Sequence, residues 1–422
     1  MNVARDARST PTDRALSLGW TVLPAAVLFS ITAGQALASV LILRWIWTLA
    51  AGGRARGRRR TDLPAAATPQ HILLPLGAFL VWASIAAVLA NQTAPDLAGA
   101  WGKWLFALAL PAAWAHARRT GSVRPPLFVL LAAGLAILPF GLRDFLATDS
   151  GRAGGFSGSG PHLGSNLMMA FIVALAFVFE ARGRAATVAS GAAALLLLGG
   201  IGLSFNRSAL LGAAVGAGVI CARRRPVLLA AALAVVAAGL AARPVSKPVL
   251  RLRSALQFDQ NPTARERLMM WSAAARMIRA RPIEGVASRA RFAGAYPSFR
   301  DEDALEARPG HVHNSYLQTA VLHGLPGLGL LLWWLAVLGR LALVQGPAYE
   351  AAWPLLIAVL VNAVFDFVLA DGQHALMWYV LAGLLLGSQT PAVSVAGARR
   401  FGGRRNADAD PSVSSSSARR RA

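Results

Sequence analysis

The sequence predicts an all-α integral membrane protein with about twelve transmembrane helices. Hydrophobic residues make up 55% of the 422 residues and charged residues only 14%, whereas a soluble domain of this size needs a larger charged surface. The apolar residues fall in blocks of about 18–25, the length with which a helix crosses roughly 30 Å of hydrocarbon. Short arginine tracts separate several blocks, as expected of cytoplasmic loops.

The candidate spans follow one another closely along most of the chain. They cover residues 16–31, 34–51, 71–91, 98–116, 126–146, 162–180, 185–204, 207–221, 226–243, 314–340, 351–370 and 373–390. The first two are short and could form one long tilted helix. With twelve spans, all the basic tracts share the side of both termini, which identifies that side as the cytoplasm. These tracts are 54–60, 118–119, 223–225, 399–400 and 419–421.

This topology divides the chain into five parts. They are a cytoplasmic N-terminus (1–15), transmembrane helices 1–9 (16–243), an outward loop (244–313), helices 10–12 (314–390) and a disordered cytoplasmic tail (391–422). The net charge of +23 does not indicate nucleic-acid binding, because the arginine tracts lie between membrane spans and lack interleaved aromatic residues. The single cysteine, Cys221, excludes a disulfide within the chain.

The outward loop is predicted to contain a helix. Thr263 and Glu266 form a capping box, and Pro282 ends the helix that they open. Four apolar residues fall on one face at helical spacing: Leu268, Trp271, Ala275 and Ile278. We expect an amphipathic helix on the outer membrane–water interface. The alternative is a solvated helix packed on the bundle.

The same loop is rich in arginine, although positively charged residues are expected mainly inside. It contains twelve basic and seven acidic residues. Arg207 starts a predicted helix at the same surface, and Arg152 lies in a glycine-rich outward loop. Guanidinium groups bind phosphate oxygens in bidentate fashion, so the cluster predicts a site for an anionic lipid headgroup. Individual arginines could instead contact outer-leaflet phosphates or pair with acidic residues of the loop.

Two histidines, His311 and His313, stand where the loop re-enters the bilayer. Histidine exchanges protons near neutral pH, so one of them could accept a proton from a sugar hydroxyl. A histidine hydrogen-bonded to backbone and a zinc ligand are the two alternatives. Zinc would need further outward ligands, and none of the usual metal-binding spacings is present, so we predict no metal or other cofactor. The possible further ligands are His162, His323, Asp371 and His374.

Few charges fall inside the predicted spans. Lys103 and Glu180 lie near span ends, where a long side chain can reach the interface. Asp366 lies within the span 351–370, where a charge facing lipid is costly. We therefore expect Asp366 to face the bundle interior or an outer cavity.

Four motifs together resemble the O-antigen ligase and polymerase superfamily. His313-Asn314-Ser315-Tyr316-Leu317, which runs into Gly324-Leu325-Pro326-Gly327-Leu328, is similar to the family signature after a long outward loop. Arg207-Ser208-Ala209-Leu210 resembles a motif at a helix start, and Arg265 to Trp271 followed by Pro282 to Val286 resembles an Arg…Trp…Pro-x-x-Gly segment. Arg152 to Phe156 resembles an Arg-x-x-Gly-x-Phe loop. Order and spacing match over roughly 150–380.

Two departures from the family pattern stand out. Ala287 replaces the second glycine that usually follows Pro-x-x-Gly-x, so the turn after it could differ. The sequence Gly-Ser-Gly-Pro-His at 158–162 replaces an Asn-Pro-Asn pattern. We therefore do not predict a catalytic role for His162.

The resemblance implies a C-type glycosyltransferase-like fold in the bacterial inner membrane, with the loop 244–313 and the active site facing the periplasm. It implies transfer of a glycan from undecaprenyl pyrophosphate, metal-independent and with inversion. The acceptor is lipid A–core in ligases, which make lipopolysaccharide, and another lipid-linked repeat unit in polymerases. We prefer the ligase; the chain has no large outer domain of the kind expected in the protein-glycosylating branch. A lipid-linked saccharide transporter is the alternative of another class, although no internal repeat supports it.

The resemblance also assigns roles to residues. His313, Arg207 and Arg265 would be catalytic, with His313 as the base and the arginines holding the charge of the pyrophosphate. The substrate-binding set would be Arg289, Arg152, Asn314, Tyr316, His311 and Arg267. No paired-carboxylate motif indicates a glycosidase. We expect a monomer that contacts membrane lipids and both lipid-linked substrates.

Overall fold

The computed structural model describes residues 10–54, 70–90, 104–147, 153–154, 156, 159–227, 262–344 and 350–388. These residues are almost entirely helical and contain no strand. The first seven helices are α1 (Pro11–Phe29), α2 (Ile31–Arg54), α3 (Gln70–Leu89), α4 (Ala109–Thr120), α5 (Arg124–Ala136), α6 (Leu138–Ala147) and α7 (Gly160–Glu180). The others are α8 (Arg184–Leu203), α9 (Arg207–Arg224), α10 (Pro262–Ala280), α11 (Arg289–Ala295), α12 (Ser315–Val344), α13 (Ala352–Phe365) and α14 (Gly372–Ser388).

The all-α membrane class is confirmed for the described residues. Six of their helical stretches are long and apolar enough to cross a membrane: 31–51, 70–89, 124–147, 160–180, 184–203 and 315–343. The first two predicted spans are separate helices, because α1 ends at Phe29, Ser30 has an extended backbone and α2 begins at Ile31. The predicted span 226–243 and the tail 391–422 lie outside the described residues, apart from 226 and 227. The total of twelve spans therefore stays a prediction.

Two pairs of helices approach closely through glycines four residues apart. Gly383 and Gly387 of α14 face the backbone of α4, and Gly212 and Gly216 of α9 face the backbone of α13. A Cβ at any of these positions would lie 3.1 Å or less from a carbonyl oxygen of the partner helix. Small residues at this spacing share one helix face and let two backbones meet. These contacts hold α13 and α14, whose ends contribute to the site described below.

The predicted loop helix is present as α10, and its buried face overlaps the predicted one in part. Leu268 is exposed, but Trp271 and Ile278 are half-buried against the cluster that contains Met270 and Met277. The helix begins at Pro262, so Thr263 lies in its first turn rather than at the N-cap. The apolar surface of α10 is wider than the predicted stripe, and the neighbouring protein surface decides how far each residue is buried. The contacts match the alternative of a helix packed on the bundle.

The segment after α10 docks on a kink in α12. Gly324 breaks that helix with a φ of +67°, and a Cβ there would collide with the carbonyl of Ile283. Three backbone hydrogen bonds join the segments: Val286 N to Val321 O (2.8 Å), Ala287 N to Leu322 O (2.7 Å) and Leu325 N to Pro282 O (2.8 Å). Two motifs of the family resemblance thus form one junction, which places α11 beside the start of α12.

Ala287 keeps a glycine-like backbone although it carries a Cβ. Its φ is +61°, in the left-handed region that costs about 1–2 kcal/mol for a residue with a side chain. The hydrogen bond from its N–H to Leu322 holds it there. The replacement of glycine by Ala287 therefore leaves a left-handed turn in place.

The two ends of the bundle differ in character. Arg224, at the end of α9, pairs with Glu350 just before α13, and the Glu350 N–H donates to the Glu180 carboxylate at the end of α7. The basic tract 223–225 therefore lies at the end where α7 and α9 finish. The starts of α7 and α9, and the end of α13, lie at the opposite end of the bundle.

Candidate functional site

The two loop histidines project from a firmly held backbone. The N–H of Val312 donates to Gln318 Oε1 at 2.8 Å, and its carbonyl accepts from Trp271 Nε1 at 3.0 Å. His313 itself has a φ of +50°, an unusual conformation for a residue other than glycine. The hydrogen bonds on both sides of Val312 fix the directions of the neighbouring imidazoles.

Both histidines face one carboxylate, that of Asp366. His311 Nε2 lies 3.7 Å and His313 Nδ1 3.5 Å from Asp366 Oδ1. The N–H of Phe367 donates to the same oxygen at 2.8 Å. The predicted span 351–370 ends earlier than expected, at Phe365, so Asp366 lies in a non-helical connection. As expected, it faces the protein and not lipid.

The environment keeps Asp366 ionised. Burial alone would raise the pKa of this carboxyl, but its contacts with His311 and His313 hold the pKa well below its usual range. A carboxylate beside Nδ1 favours the imidazole tautomer with its proton on that nitrogen. His313 would then present Nε2 as a proton acceptor.

Two arginines interact electrostatically at this site: Arg267 with the Asp366 carboxylate, and Arg207 with Arg267. Burial lowers the pKa of the Arg267 guanidinium, the charge of Asp366 opposes that shift, and the charge of Arg207 adds to it. Arg207 is exposed at the start of α9, which Asn206 caps by accepting from Ala209 N at 3.0 Å. The Nε of Arg267 is buried and has no hydrogen-bond partner among the described residues. A buried donor without a partner is costly and suits an anionic ligand.

Arg289 connects the histidines to a second acidic residue. Its Nε donates to the Gly310 carbonyl at 3.0 Å, and its Nη2 lies 3.5 Å from His311 Nδ1. Its Nη1 lies 3.6 Å from Asp371 Oδ1. The guanidinium also lies over the Phe367 ring, 5.7 Å from its centroid. Arg289 is thus anchored on several sides beside His311.

Three predicted site residues have other contacts. Arg265 is exposed and pairs with Asp303 at 3.2 Å; two residues along a helix turn through about 200°, so it points away from Arg267. Asn314 caps α12, its Oδ1 accepting from the N–H groups of Tyr316 and Leu317 at 3.0 and 2.9 Å. The Tyr316 hydroxyl donates to the Leu360 carbonyl at 3.0 Å. The predicted residue Arg152 lies outside the described residues.

A second cluster of the same composition lies on the other side of Arg289. His162 Nε2 is 3.4 Å from Asp371 Oδ2, and the His162 and His374 rings meet nearly at right angles, with centroids 4.5 Å apart. In each cluster, one ligand atom per residue lies within 4.8 Å of the other two, so either could hold a metal ion. Three of the four residues named as possible further zinc ligands for His311 and His313 therefore form a cluster of their own instead. The fourth, His323, packs against Phe79 instead.

Comparison with known families identifies part of the chain. Residues 169–332 match the family described as O-antigen ligase. This segment is therefore similar to the O-antigen ligase family. No curated protein matches the chain significantly. The family resemblance inferred from the motifs is confirmed, and with the apolar helices it identifies a bacterial membrane protein.

The O-antigen ligase segment contains only part of the assembled site. It includes the two loop histidines and the arginines beside them: Arg207, Arg267, Arg289, His311 and His313. Asp366 lies beyond it, and sequence reasoning placed this residue near the cavity without assigning it a partner. The sequence signal for Asp366 was its position within a predicted span, because a charge there is costly unless it faces the protein. The identity of its partners required the tertiary structure.

Proposed function

We propose that this protein is an O-antigen ligase, which transfers a glycan from undecaprenyl pyrophosphate to lipid A–core during lipopolysaccharide synthesis. The family match supports activity of the O-antigen ligase and polymerase type. The observation that carries the proposal is the convergence of His313 and the ionised Asp366 with the half-buried Arg267. Such a site combines a proton acceptor with cations for a leaving group.

In the proposed reaction, the acceptor hydroxyl oxygen attacks the anomeric carbon of the lipid-linked glycan. The new carbon–oxygen bond forms as the bond to the pyrophosphate oxygen breaks, and undecaprenyl pyrophosphate leaves with the bonding electrons. The hydroxyl proton passes to Nε2 of His313. A single displacement of this kind inverts the anomeric carbon, and pyrophosphate is a good enough leaving group to need no general acid.

Asp366 would assist His313 without touching the substrate. Its carboxylate lies on the Nδ1 side of the ring and would stabilise the imidazolium formed after proton transfer. Asp366 is buried and is also held by the Phe367 N–H. We therefore assign His313 as the base and Asp366 as the residue that positions it.

We assign the pyrophosphate clamp to Arg207, Arg267 and Arg289. Arg267 has a buried Nε without a described partner, and phosphate oxygens are good acceptors for such a donor. Arg289 lies beside His311, and the charge of Arg207 lowers the pKa of Arg267. Fixed cations that face a developing negative charge stabilise the transition state. We do not include Arg265 in this clamp, because its guanidinium is exposed and paired with Asp303.

We place the site on the periplasmic face, because it lies at the end of the bundle opposite the tract 223–225. Basic tracts remain in the cytoplasm. Reporter fusions at positions 58, 120 and 224 should give cytoplasmic signals, and a fusion at 300 a periplasmic one. A cytoplasmic signal at 300 would contradict the proposal, since both lipid-linked substrates are expected outside.

Loss of the protein from its host separates ligase from polymerase. If it is a ligase, surface glycan disappears and lipid-linked polymer accumulates. If it is a polymerase, lipid A–core carries single repeat units. A transporter would leave undecaprenyl-linked glycan on the cytoplasmic face, and purified protein would not join glycan to lipid A–core in vitro.

The proposed chemistry uses arginine charges where other transferases use a metal. We therefore expect transfer by purified protein at 25 °C to continue in excess EDTA. Loss of transfer in EDTA at this temperature and its return with Zn²⁺ would contradict metal-independent transfer, and His311 and His313 would then have to be considered as metal ligands.

A further inference from the structure

We propose that His162, Asp371 and His374 form a binding site for one transition-metal ion, which fastens the start of α7 to the start of α14. The site lies beside the proposed catalytic cluster but shares no residue with it. Its ion takes no part in the transfer reaction. The ion with the best-suited chemistry is Zn²⁺.

The donor atoms are close to the arrangement that such an ion requires. Metal–ligand bonds of about 2.0–2.2 Å place neighbouring ligand atoms of a tetrahedral zinc roughly 3.3 Å apart. His162 Nε2 and Asp371 Oδ2 are 3.4 Å apart, and one ligand atom from each of the three residues lies within 4.8 Å of the other two. Asp371 and His374 are three residues apart at the start of α14, so they share one helix face. Two imidazoles and one carboxylate leave a fourth position for water.

His374 provides the second observation that points to a ligand. It is 3% exposed, and neither ring nitrogen makes an aligned hydrogen bond with the described residues. The Pro161 carbonyl, His162 and Asp371 are among its polar neighbours. A buried imidazole usually satisfies both nitrogens, because an unsatisfied polar atom costs free energy. A metal ion would use one of these nitrogens directly.

The catalytic cluster offers the same ligand types but is a poorer metal site. Both of its imidazoles face Asp366 Oδ1, which already accepts from the Phe367 N–H. In the second cluster, Arg289 contacts Asp371 through Oδ1, and Oδ2 faces His162. Separate oxygens therefore serve the arginine and the proposed ion.

The surroundings also restrict the kind of ion. The donor set consists of two imidazoles and one carboxylate. Mg²⁺ and Ca²⁺ rely on several oxygen ligands, and only one carboxylate is present here. Imidazole binds Zn²⁺, Co²⁺, Ni²⁺ and Cu²⁺. We therefore expect selectivity for these ions over Mg²⁺ and Ca²⁺.

The experiment uses full-length protein in detergent, with any histidine tag removed and all metal stripped by a chelator. The stripped protein is dialysed against Zn²⁺, and bound metal is measured by mass spectrometry. Co²⁺ is added separately, and its visible absorption reports the ligand geometry. We expect one Zn²⁺ per chain, a visible Co²⁺ band and a melting temperature that rises by a few degrees with Zn²⁺ but not with Mg²⁺.

Variants decide which cluster is responsible. His162→Gln and Asp371→Asn should each lose the Zn²⁺-dependent rise in melting temperature and the Co²⁺ band. His162 is half-exposed, so its replacement should fold even if a change at the buried His374 does not. His311→Ala, in the catalytic cluster, should still bind one Zn²⁺. Binding that survives His162→Gln but is lost in His311→Ala, or no binding by the unmodified protein, would overturn the proposal.

Discussion

The clusters His311–His313–Asp366 and His162–Asp371–His374 contain the same three groups in different surroundings. In the first, both imidazoles and a backbone N–H converge on one carboxylate oxygen, and Arg267 adds a cation. In the second, Asp371 divides its two oxygens between Arg289 and His162. Both ring nitrogens of the buried His374 lack aligned hydrogen bonds to the described residues, whereas in the first cluster this holds for one nitrogen, Nδ1 of His313. Residue types alone therefore do not determine what a cluster does.

The difference shows how neighbouring charges select a chemistry. An ionised carboxylate with satisfied oxygens orients an imidazole for proton transfer, and cations beside it suit an anionic leaving group. A buried imidazole with unsatisfied nitrogens, beside a carboxylate oxygen that no arginine contacts, suits a metal ion. The following experiments test this distinction.

The largest effect is expected from the proposed base. His313→Ala should lower turnover by about 10²–10⁴-fold, the usual range for loss of general-base catalysis. Donor binding should change little, since His313 acts when the acceptor hydroxyl attacks. The measurement is a transfer assay with purified protein beside direct donor binding. His71→Ala, at an exposed histidine in the first turn of α3, is the matched control. Retention of most turnover in His313→Ala would show that His313 is not the base.

Two arginines on α10 provide a matched pair. Arg267→Ala should reduce both donor affinity and turnover by roughly 10–100-fold, because a charged hydrogen bond of about 1.5–3 kcal/mol is lost. Arg265→Ala should cost much less, as exposed ion pairs contribute about 0–1 kcal/mol. The measurements are transfer kinetics and donor binding for both variants. Equal losses would place Arg265 in the clamp as well.

Arg207 tests whether charge or geometry matters at the clamp. Arg207→Ala should weaken donor binding and turnover together, since pyrophosphate is held in both ground state and transition state. Arg207→Lys should restore only part of each, because an ammonium keeps the charge but not the two-pronged geometry. If lysine restores full activity, the contribution of Arg207 is charge alone.

The smallest effect is expected in the pH dependence of stability. The pKa of Asp366 is depressed in the folded protein, so its charge stabilises the fold above the unfolded value of about 3.9, and this contribution is lost as the pH falls further. The difference in melting temperature between the unmodified protein and Asp366→Asn should therefore not decrease from pH 8 to 5 and should shrink below pH 4. Thermal unfolding in detergent measures it. A difference that shrinks already between pH 7 and 6 would contradict a depressed pKa.

The sequence by itself determined the membrane class, most helix positions and the family. These properties depend on local features, namely the length of apolar blocks, arginine tracts between them and short motifs such as His313 to Leu317. The predicted loop helix appears at Pro262–Ala280 for the same reason, since a proline starts or stops a helix within one turn of its own position. The loop histidines and most of the basic residues of the site could likewise be selected from the motifs.

Only the tertiary structure decided which side chains meet. Arg265 and Arg267 are equivalent as residue types, but their directions on α10 separate an exposed ion pair from the site. Asp366 meets His313 because α13 ends at Phe365 and turns the carboxylate toward the start of α12. His162 and His374 come together because α7 and α14 begin at the same end of the bundle. Such contacts join residues far apart in the chain, and they depend on helix packing that no local pattern encodes.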